Sequence, residues 1–175
     1  MSCFRSRRNQ ALCVIGAWFV VLTQGEAARA ATSSSSVGVA AQVANTCTLT
    51  ITTNLNFGPV DITSPTPTDS FGSISIGCTN NAPVYITLGQ GANPGSGSTN
   101  TTPVRQMSAG GADRLDYDLY SDPTFTTPWG NTQATGVTLT GSGAPVSASI
   151  YARVPPGQHV ASGVYQDSVV LTVTY

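Results

Sequence analysis

The amino-acid sequence predicts an all-β fold, an antiparallel β-sandwich. Beyond the first thirty residues, no stretch of the chain carries a convincing helical period of apolar residues. Thr, Ser, Gly, Val, Asn and Pro dominate there, and this composition favours strands and turns over helices. Short apolar segments recur between breaker clusters such as Gly58-Pro59 and Pro155-Pro156-Gly157. Many short strands separated by turn clusters are typical of a sandwich.

The amino terminus has the three parts of a signal peptide. Arg5, Arg7 and Arg8 form a basic region, an apolar run follows at 11–23, and Ala28-Arg29-Ala30 fits an A-x-A cleavage site. The apolar run is too short to span a bilayer comfortably. We therefore predict a signal peptide at 1–30, export of the protein, and no membrane span in the mature form. Cleavage leaves 145 of the 175 residues, which is enough for one domain.

The charge of the predicted mature chain argues against a nucleic-acid partner. It retains three arginines and seven aspartates and has no lysine, which gives a net charge of −4. Binding to phosphates requires clustered Lys and Arg side chains. We therefore expect no nucleic-acid binding.

The predicted strands follow one another at short spacing along the mature chain. The clearest alternation is at 115–120, where Leu115, Tyr117 and Leu119 should face the core while Asp116 and Asp118 face the solvent. The pattern predicts strands near 37–44, 48–52, 73–78, 84–88, 115–120, 148–153 and 168–175, with a weaker candidate at 137–140.

The first and last of these strands suggest a subunit that is completed by a neighbour. The chain stops within the last strand, whose apolar residues share one face: Val169, Leu171, Val173 and Tyr175. A strand that ends without a cap usually has a partner supplied from elsewhere. At the other end, a serine run precedes a second period-two set: Val37, Val39, Ala41 and Val43. The alternative is an ordinary sandwich whose first and last strands happen to be terminal.

Two cysteines remain after cleavage, Cys47 and Cys78. In an oxidising compartment two such cysteines should pair, and the alternative is two free buried thiols. The bond would close a loop of about 32 residues, which the chain-entropy estimate values at roughly 3.7 kcal/mol.

The sequence has few residues suited to catalysis, with one histidine and 9% charged residues. We therefore predict that the protein is not an enzyme and has no cofactor or metal. His159 is the single histidine and lies in a turn-like segment without a nearby nucleophile motif, which indicates a surface histidine. Asp116 and Asp118 indicate a solvated strand face rather than a calcium loop. Trp129 and its neighbouring tyrosines are the candidates for stacking on a sugar ring, although such residues more often pack in the core.

The order and spacing of several segments resemble the spore coat protein U domain family, which includes the Csu-type subunits of archaic chaperone–usher pili. The resemblance covers essentially the whole mature chain. It is carried by Cys47, Phe57-Gly58, Ile76-Gly77-Cys78-Thr79, the run 115–120, Trp129-Gly130, Tyr151-Ala152-Arg153-Val154-Pro155-Pro156-Gly157-Gln158, and Gly163-Val164-Tyr165-Gln166-Asp167 before the terminal strand.

This resemblance implies an incomplete immunoglobulin-like sandwich that lacks its last strand, here formed by 46–175. It implies that a periplasmic chaperone lends a strand and that an outer-membrane usher exchanges it for the amino-terminal strand of the next identical or related subunit. The extension 31–45 would then supply the donor residues Val37, Val39, Ala41 and Val43, and the strand with Val169, Leu171, Val173 and Tyr175 would be the chaperone-docking strand. The protein would form a cell-surface fimbrium that supports adhesion and biofilm formation.

Two other functions remain open from the sequence. One is a secreted spore-coat or matrix protein, and the other is a single-domain tip adhesin that binds sugar. The extension is short, with 16 residues between the predicted cleavage site and Cys47, and it must serve as donor strand and also lead into the domain's own first strand. The donor side chains are small, with no Phe, Leu or Ile among them. The boundary between the donor strand and the domain's own first strand is therefore open.

Overall fold

The computed structural model describes residues 29–175. Most of the predicted signal peptide, residues 1–28, lies outside the described residues. Residues 29–40 have no regular secondary structure, and residues 41–175 contain eight strands. These are β1 Cys47–Thr53, β2 Thr68–Cys78, β3 Pro83–Leu88, β4 Arg105–Ser108, β5 Arg114–Tyr120, β6 Val137–Thr140, β7 Pro145–Val154 and β8 Leu171–Thr174.

The strands form two antiparallel sheets, which confirms the predicted fold class. The larger sheet has the order β1-β2-β7-β5-β4, and the smaller has the order β6-β3-β8. The long central pairing joins β2 to β7, from Thr68 opposite Val154 to Gly77 opposite Pro145. Over the part of the chain that is described, no helix is long and apolar enough to cross a membrane.

The core lies between the two sheets and follows the period-two pattern of the strands. Leu115, Tyr117 and Leu119 are buried as predicted, whereas Asp116 and Asp118 are exposed on the opposite face of β5. Trp129 is almost completely buried, and its indole Nε1 donates a hydrogen bond to the carbonyl oxygen of Ile86 at 2.9 Å. The idea that Trp129 stacks on a sugar is therefore wrong, because its ring belongs to the core.

Three elements differ from the sequence prediction. The segment 37–44 is not a strand, since residues 29–46 have no regular secondary structure. An alternating pattern becomes a strand only where a neighbour supplies backbone partners. The last strand is shorter than predicted, at Leu171–Thr174, and Gln166 before it forms an isolated bridge with Ser108 of β4. Strand β4 was missed, since Arg105-Gln106-Met107-Ser108 is short and carries only one large aliphatic side chain.

Candidate functional site

The domain contains an open groove of about 1060 Å³. Its floor is the inner face of the larger sheet, and includes Ile74, Leu119 and Ile150. One wall is the segment 54–62, and the other is the segment 160–169 that leads into β8. The floor side chains are large and apolar but are themselves buried, whereas Ile51 of β1 is an exposed apolar residue that lines the groove.

The first wall depends on a close approach at Gly72. Leu55, Phe57, Val60 and Ile62 pack their side chains against the core from this wall. A Cβ atom at Gly72 would lie 2.9 Å from the carbonyl oxygen of Thr53 and 3.2 Å from Cγ of Leu55. Glycine therefore lets the chain turn over β2 and form the rim of the groove.

Strand β1 has inward-facing apolar side chains that remain uncovered. Leu49 lies opposite Ile76 and Ile51 lies opposite Ile74, so both share the face of two fully buried residues. Ile51 is nevertheless 58% exposed, and it lines the groove. An inward-facing isoleucine that stays exposed marks a place where the sandwich lacks a covering element.

Strand β8 is an edge strand with one partner among the described residues. It pairs with β3, with Val173 opposite Ile86 and Leu171 opposite Leu88, and no strand lies on its other side. Leu171 and Val173 are half-buried against the core, as is Val169 just before the strand, while Tyr175 just after it is 52% exposed. The outer edge of β8 therefore presents unpaired backbone groups beside an apolar groove, the condition under which a further strand can add.

A buried arginine links the two sheets. The Arg105 guanidinium donates hydrogen bonds to three carbonyl oxygens: Gly89 at 2.8 Å, Leu88 at 2.9 Å and Trp129 at 2.7 Å. Burial lowers the pKa of Arg105, and the nearby Tyr117, Asp118 and Asp167 oppose that shift. Arg105 thus links β4 of the larger sheet to the end of β3 in the smaller sheet.

Asp167 fixes the path of the chain into β8. Its carboxylate accepts hydrogen bonds from the backbone N–H of Ala92 at 2.9 Å, from Nδ2 of Asn93 at 3.2 Å and from the Tyr117 hydroxyl at 2.7 Å. Gly91 makes room for it, with a φ of 86° and no Cβ to collide with the carboxylate. Burial, together with the hydrogen bond to Asp167, raises the pKa of Tyr117.

The predicted donor residues lie in the segment without regular structure. Val37, Val39 and Val43 are 85%, 92% and 82% exposed, and Ala41 is exposed as well. These three exposed valines, at period two, contrast with the valines on the strands of the domain, most of which are packed against the core. The donor assignment remains a prediction.

Cys47 and Cys78 form a disulfide with a Cα–Cα distance of 4.1 Å. They lie directly opposite each other at the end of the β1–β2 pair. The bond therefore holds the start of β1, where the extension 31–45 joins the domain.

Comparison with known proteins identifies the family. A family model described as the Spore Coat Protein U domain matches residues 33–172. The chain belongs to the Spore Coat Protein U domain family. It is similar to Protein U of Myxococcus xanthus, with 43% identity over 157 residues, which cover 85% of this chain and 88% of that protein.

A solved structure shows the same fold. A chain in the crystal structure of the CsuC–CsuE chaperone–tip adhesion subunit pre-assembly complex, from archaic chaperone–usher Csu pili of Acinetobacter baumannii, superimposes with a TM-score of 0.54. The sequence identity is 21%, and the match covers 76% of this chain and 40% of that one. This family member therefore shares its fold with part of one chain of that complex, and the family recognised from the sequence is confirmed.

The sequence does not predict the roles of Arg105 and Asp167, because their hydrogen-bond partners lie 16 to 75 residues away along the chain. Asp167, for example, binds Ala92, which is 75 residues away. Within residues 29–175 no group of three or more His, Cys, Asp and Glu residues is arranged to hold a metal ion.

Proposed function

We propose that this protein is a structural subunit of a Csu-type chaperone–usher pilus, polymerised by donor-strand exchange. The observation that carries the proposal is the unpaired edge of β8 beside the open apolar groove. An extended segment added along that edge would exchange backbone hydrogen bonds with β8 and place alternate side chains in the groove. A structural role of this kind requires no catalytic residues.

The donor is the extension 31–45 of another copy. Its valines at 37, 39 and 43 repeat at the spacing that points alternate side chains to one face of a strand. Burying each valine contributes roughly 1.5–2 kcal/mol, to which the backbone hydrogen bonds with β8 add. The exposure of these valines supports a role in contact with another molecule.

Before assembly, the groove requires temporary cover, since an exposed edge strand beside uncovered core promotes aggregation. A periplasmic chaperone would supply a strand to β8, and an outer-membrane usher would exchange it for the extension of the next subunit. The similarity to a chain from a chaperone–subunit pre-assembly complex supports the chaperone step. The product is a surface fimbrium that supports adhesion and biofilm formation.

The test changes the charge on one face of the extension at a time. Val39→Asp and Val43→Asp should each stop polymerisation, because an unpaired buried charge costs several kcal/mol. Gln42→Asp adds the same charge to the opposite face and should polymerise normally. The readout is the ladder of multimers on a denaturing gel without heating, with the chaperone–subunit complex as the folding control. If both valine variants polymerise like the unmodified protein, the donor assignment is wrong.

The family description favours a second candidate, a secreted spore-coat or matrix protein. Both candidates are compatible with strand exchange between copies. Electron microscopy of cells with and without the gene separates them, because a pilus subunit gives filaments that disappear in the deletion strain, whereas a coat protein gives a changed surface layer.

A further inference from the structure

The outer face of the larger sheet carries an aromatic row on an otherwise small and polar surface. Four of the outward-facing residues of β2 and β7 are serines: Ser73, Ser75, Ser147 and Ser149. Phe71 also faces outward and is 66% exposed. A phenylalanine that is exposed among serines contributes nothing to the core and marks a candidate interaction site.

Strand register places two tyrosines beside Phe71. Phe71 lies opposite Tyr151, and Tyr151 lies opposite Tyr120, so the three residues form one row across β2, β7 and β5. Adjacent strands are about 4.8 Å apart, which makes the row roughly 10 Å long. We call Phe71, Tyr151 and Tyr120 the aromatic row.

The loop after β5 fixes one end of this row. The Phe125 ring packs edge-on against Tyr120 and Tyr151, with centroid distances of 5.5 and 6.3 Å. Phe125 has a φ of 56°, an unfavourable conformation for a phenylalanine. The Asp122 carboxylate holds the loop in this form. It accepts hydrogen bonds from the backbone N–H and hydroxyl groups of Thr124 and Thr126 and from the backbone N–H of Thr127. The two tyrosine rings are therefore held in place by packing.

A charged row runs next to the aromatic row. Arg153 lies opposite Asp69 on one side and Asp118 on the other. The guanidinium forms a bidentate ion pair with Asp69, in which Nε and Nη2 donate hydrogen bonds to the two carboxylate oxygens at 2.7 and 2.8 Å. It also stacks 3.8 Å above the centre of the Phe125 ring. The arginine charge is thus already compensated, and Asp118 leaves the row slightly acidic, which disfavours an anionic ligand.

These contacts favour a small neutral ligand over another protein. A stable protein interface buries about 800 Å² on each partner around a largely apolar centre. Here one well-exposed ring stands among serines and charged groups, too little apolar area for such a centre. A sugar ring offers an apolar face for stacking and hydroxyl groups at its edge, which carboxylate and guanidinium groups can bind.

We propose that the aromatic row and the charged row together form a binding platform for a neutral oligosaccharide. Phe71 stacks against the apolar face of a sugar ring, and Asp69, Arg153 and Asp118 bind its hydroxyl groups. The site lies on the outer face of the sheet, away from the residues that line the groove, so it does not depend on strand exchange.

Binding to β-linked oligosaccharides tests this proposal, because their rings have extended apolar faces. The probes are cellohexaose and chitohexaose, titrated into the exported protein, with pelleting on cellulose and chitin as a second assay. We expect saturable binding to at least one probe. Phe71→Trp should keep it, whereas Phe71→Ala and Phe71→Leu should weaken it about tenfold, since leucine keeps the apolar area but removes the flat ring.

Val170→Ala is the matched control, since Val170 is an apolar side chain with 70% exposure that does not line the groove. This variant should bind the probes like the unmodified protein. The proposal is overturned if neither probe shows saturable binding, or if Phe71→Leu binds as well as the unmodified protein does. It is also overturned if Phe71→Ala leaves binding intact and changes the association of the subunits, because the row would then be a protein contact.

Discussion

Arg105 and Trp129 are joined across the interior of the sandwich, where Nη2 of Arg105 donates a hydrogen bond to the carbonyl oxygen of Trp129 at 2.7 Å. The Trp129 indole in turn donates to the carbonyl oxygen of Ile86 on β3. These bonds connect the larger sheet to the smaller one on the side away from β1.

Replacing this buried arginine should destabilise the domain strongly. Arg105→Met keeps the apolar stem but leaves three buried carbonyl oxygens without donors, at a cost of about 1–3 kcal/mol each. We expect a loss of at least about 3 kcal/mol in the free energy of unfolding, measured by urea denaturation. Arg114→Met is the control, since within residues 29–175 the Arg114 side chain bonds to carbonyl groups of the exposed turn just before it and to no others. Equal stability of the two variants would contradict a linking role for Arg105.

The hydroxyl of Tyr117 should make the stability depend on alkaline pH. Burial raises its pKa in the folded state. The contribution of the Tyr117 hydroxyl to the free energy of unfolding is therefore fully present below pH 10, the ordinary tyrosine pKa. This contribution is lost as the pH rises further, because the unfolded chain then releases a proton that the folded chain retains. Urea denaturation at pH 9 to 11 should show a decline of up to about 1.4 kcal/mol per pH unit from this group.

Tyr117→Phe isolates this effect. The variant removes the titrating hydroxyl and should therefore show a shallower decline above pH 10 than the unmodified protein does. Tyr85→Phe changes another tyrosine on a strand and serves as the control. Identical pH profiles for Tyr117→Phe and the unmodified protein would show that Tyr117 titrates normally in the fold.

The general fold could be predicted from the sequence because alternation is a local property. The run from Leu115 to Tyr120 gives both the strand and its buried face without any knowledge of its neighbours. The groove could not be predicted in this way. Its opening depends on which strands end up as edges, and Leu49 and Ile51 alternate like any covered pair although they remain exposed in the fold. Hydrophobic period alone does not distinguish a covered face from an uncovered one.

The segment 37–44 is a second place where the hydrophobic pattern does not determine the structure. Its pattern matches a strand, yet pairing is a tertiary property and the segment has no regular structure here. Asp167 looked like an ordinary loop residue, and its hydrogen bonds to Ala92, Asn93 and Tyr117 appear only in the fold. Such long-range polar contacts leave no periodic signal in a single sequence.

The disulfide between Cys47 and Cys78 should contribute measurably to stability. A bond that closes a loop of this length is worth roughly 3.7 kcal/mol in the chain-entropy estimate. Replacing both cysteines with alanine should lower the free energy of unfolding by about 2–4 kcal/mol. Mass spectrometry of the exported protein without reductant should give a mass two hydrogens below that of the dithiol. Two thiols that alkylate freely would contradict the bond.

Charge on the inner face of β8 should prevent accumulation of the subunit. Leu171→Asp places a carboxylate between β8 and the core, where we also expect the chaperone to dock, whereas Thr172→Asp places it on the outer face of the same strand. We expect loss of soluble periplasmic protein for the first variant and normal levels for the second. Deleting Val173-Thr174-Tyr175 should have the same effect as Leu171→Asp. Normal yield of soluble monomer from the truncated chain would contradict the docking assignment.

The central claim is that the extension 31–45 of one copy fills the groove of another, and a mixing experiment tests it most directly. The acceptor variant carries Val39→Asp and Val43→Asp, so that its groove is intact and its extension is inactive. The donor variant carries a second copy of residues 35–45 after Tyr175 through a flexible linker, so that it fills its own groove and keeps a free extension.

With the acceptor variant supplied as its chaperone complex, neither variant alone should self-associate, and an equimolar mixture should give a one-to-one dimer of the two variants by size-exclusion chromatography with light scattering. Adding Val39→Asp and Val43→Asp to the free extension of the donor variant should abolish that dimer. A mixture that stays monomeric, or an acceptor variant that polymerises by itself, would contradict strand exchange through residues 37–43.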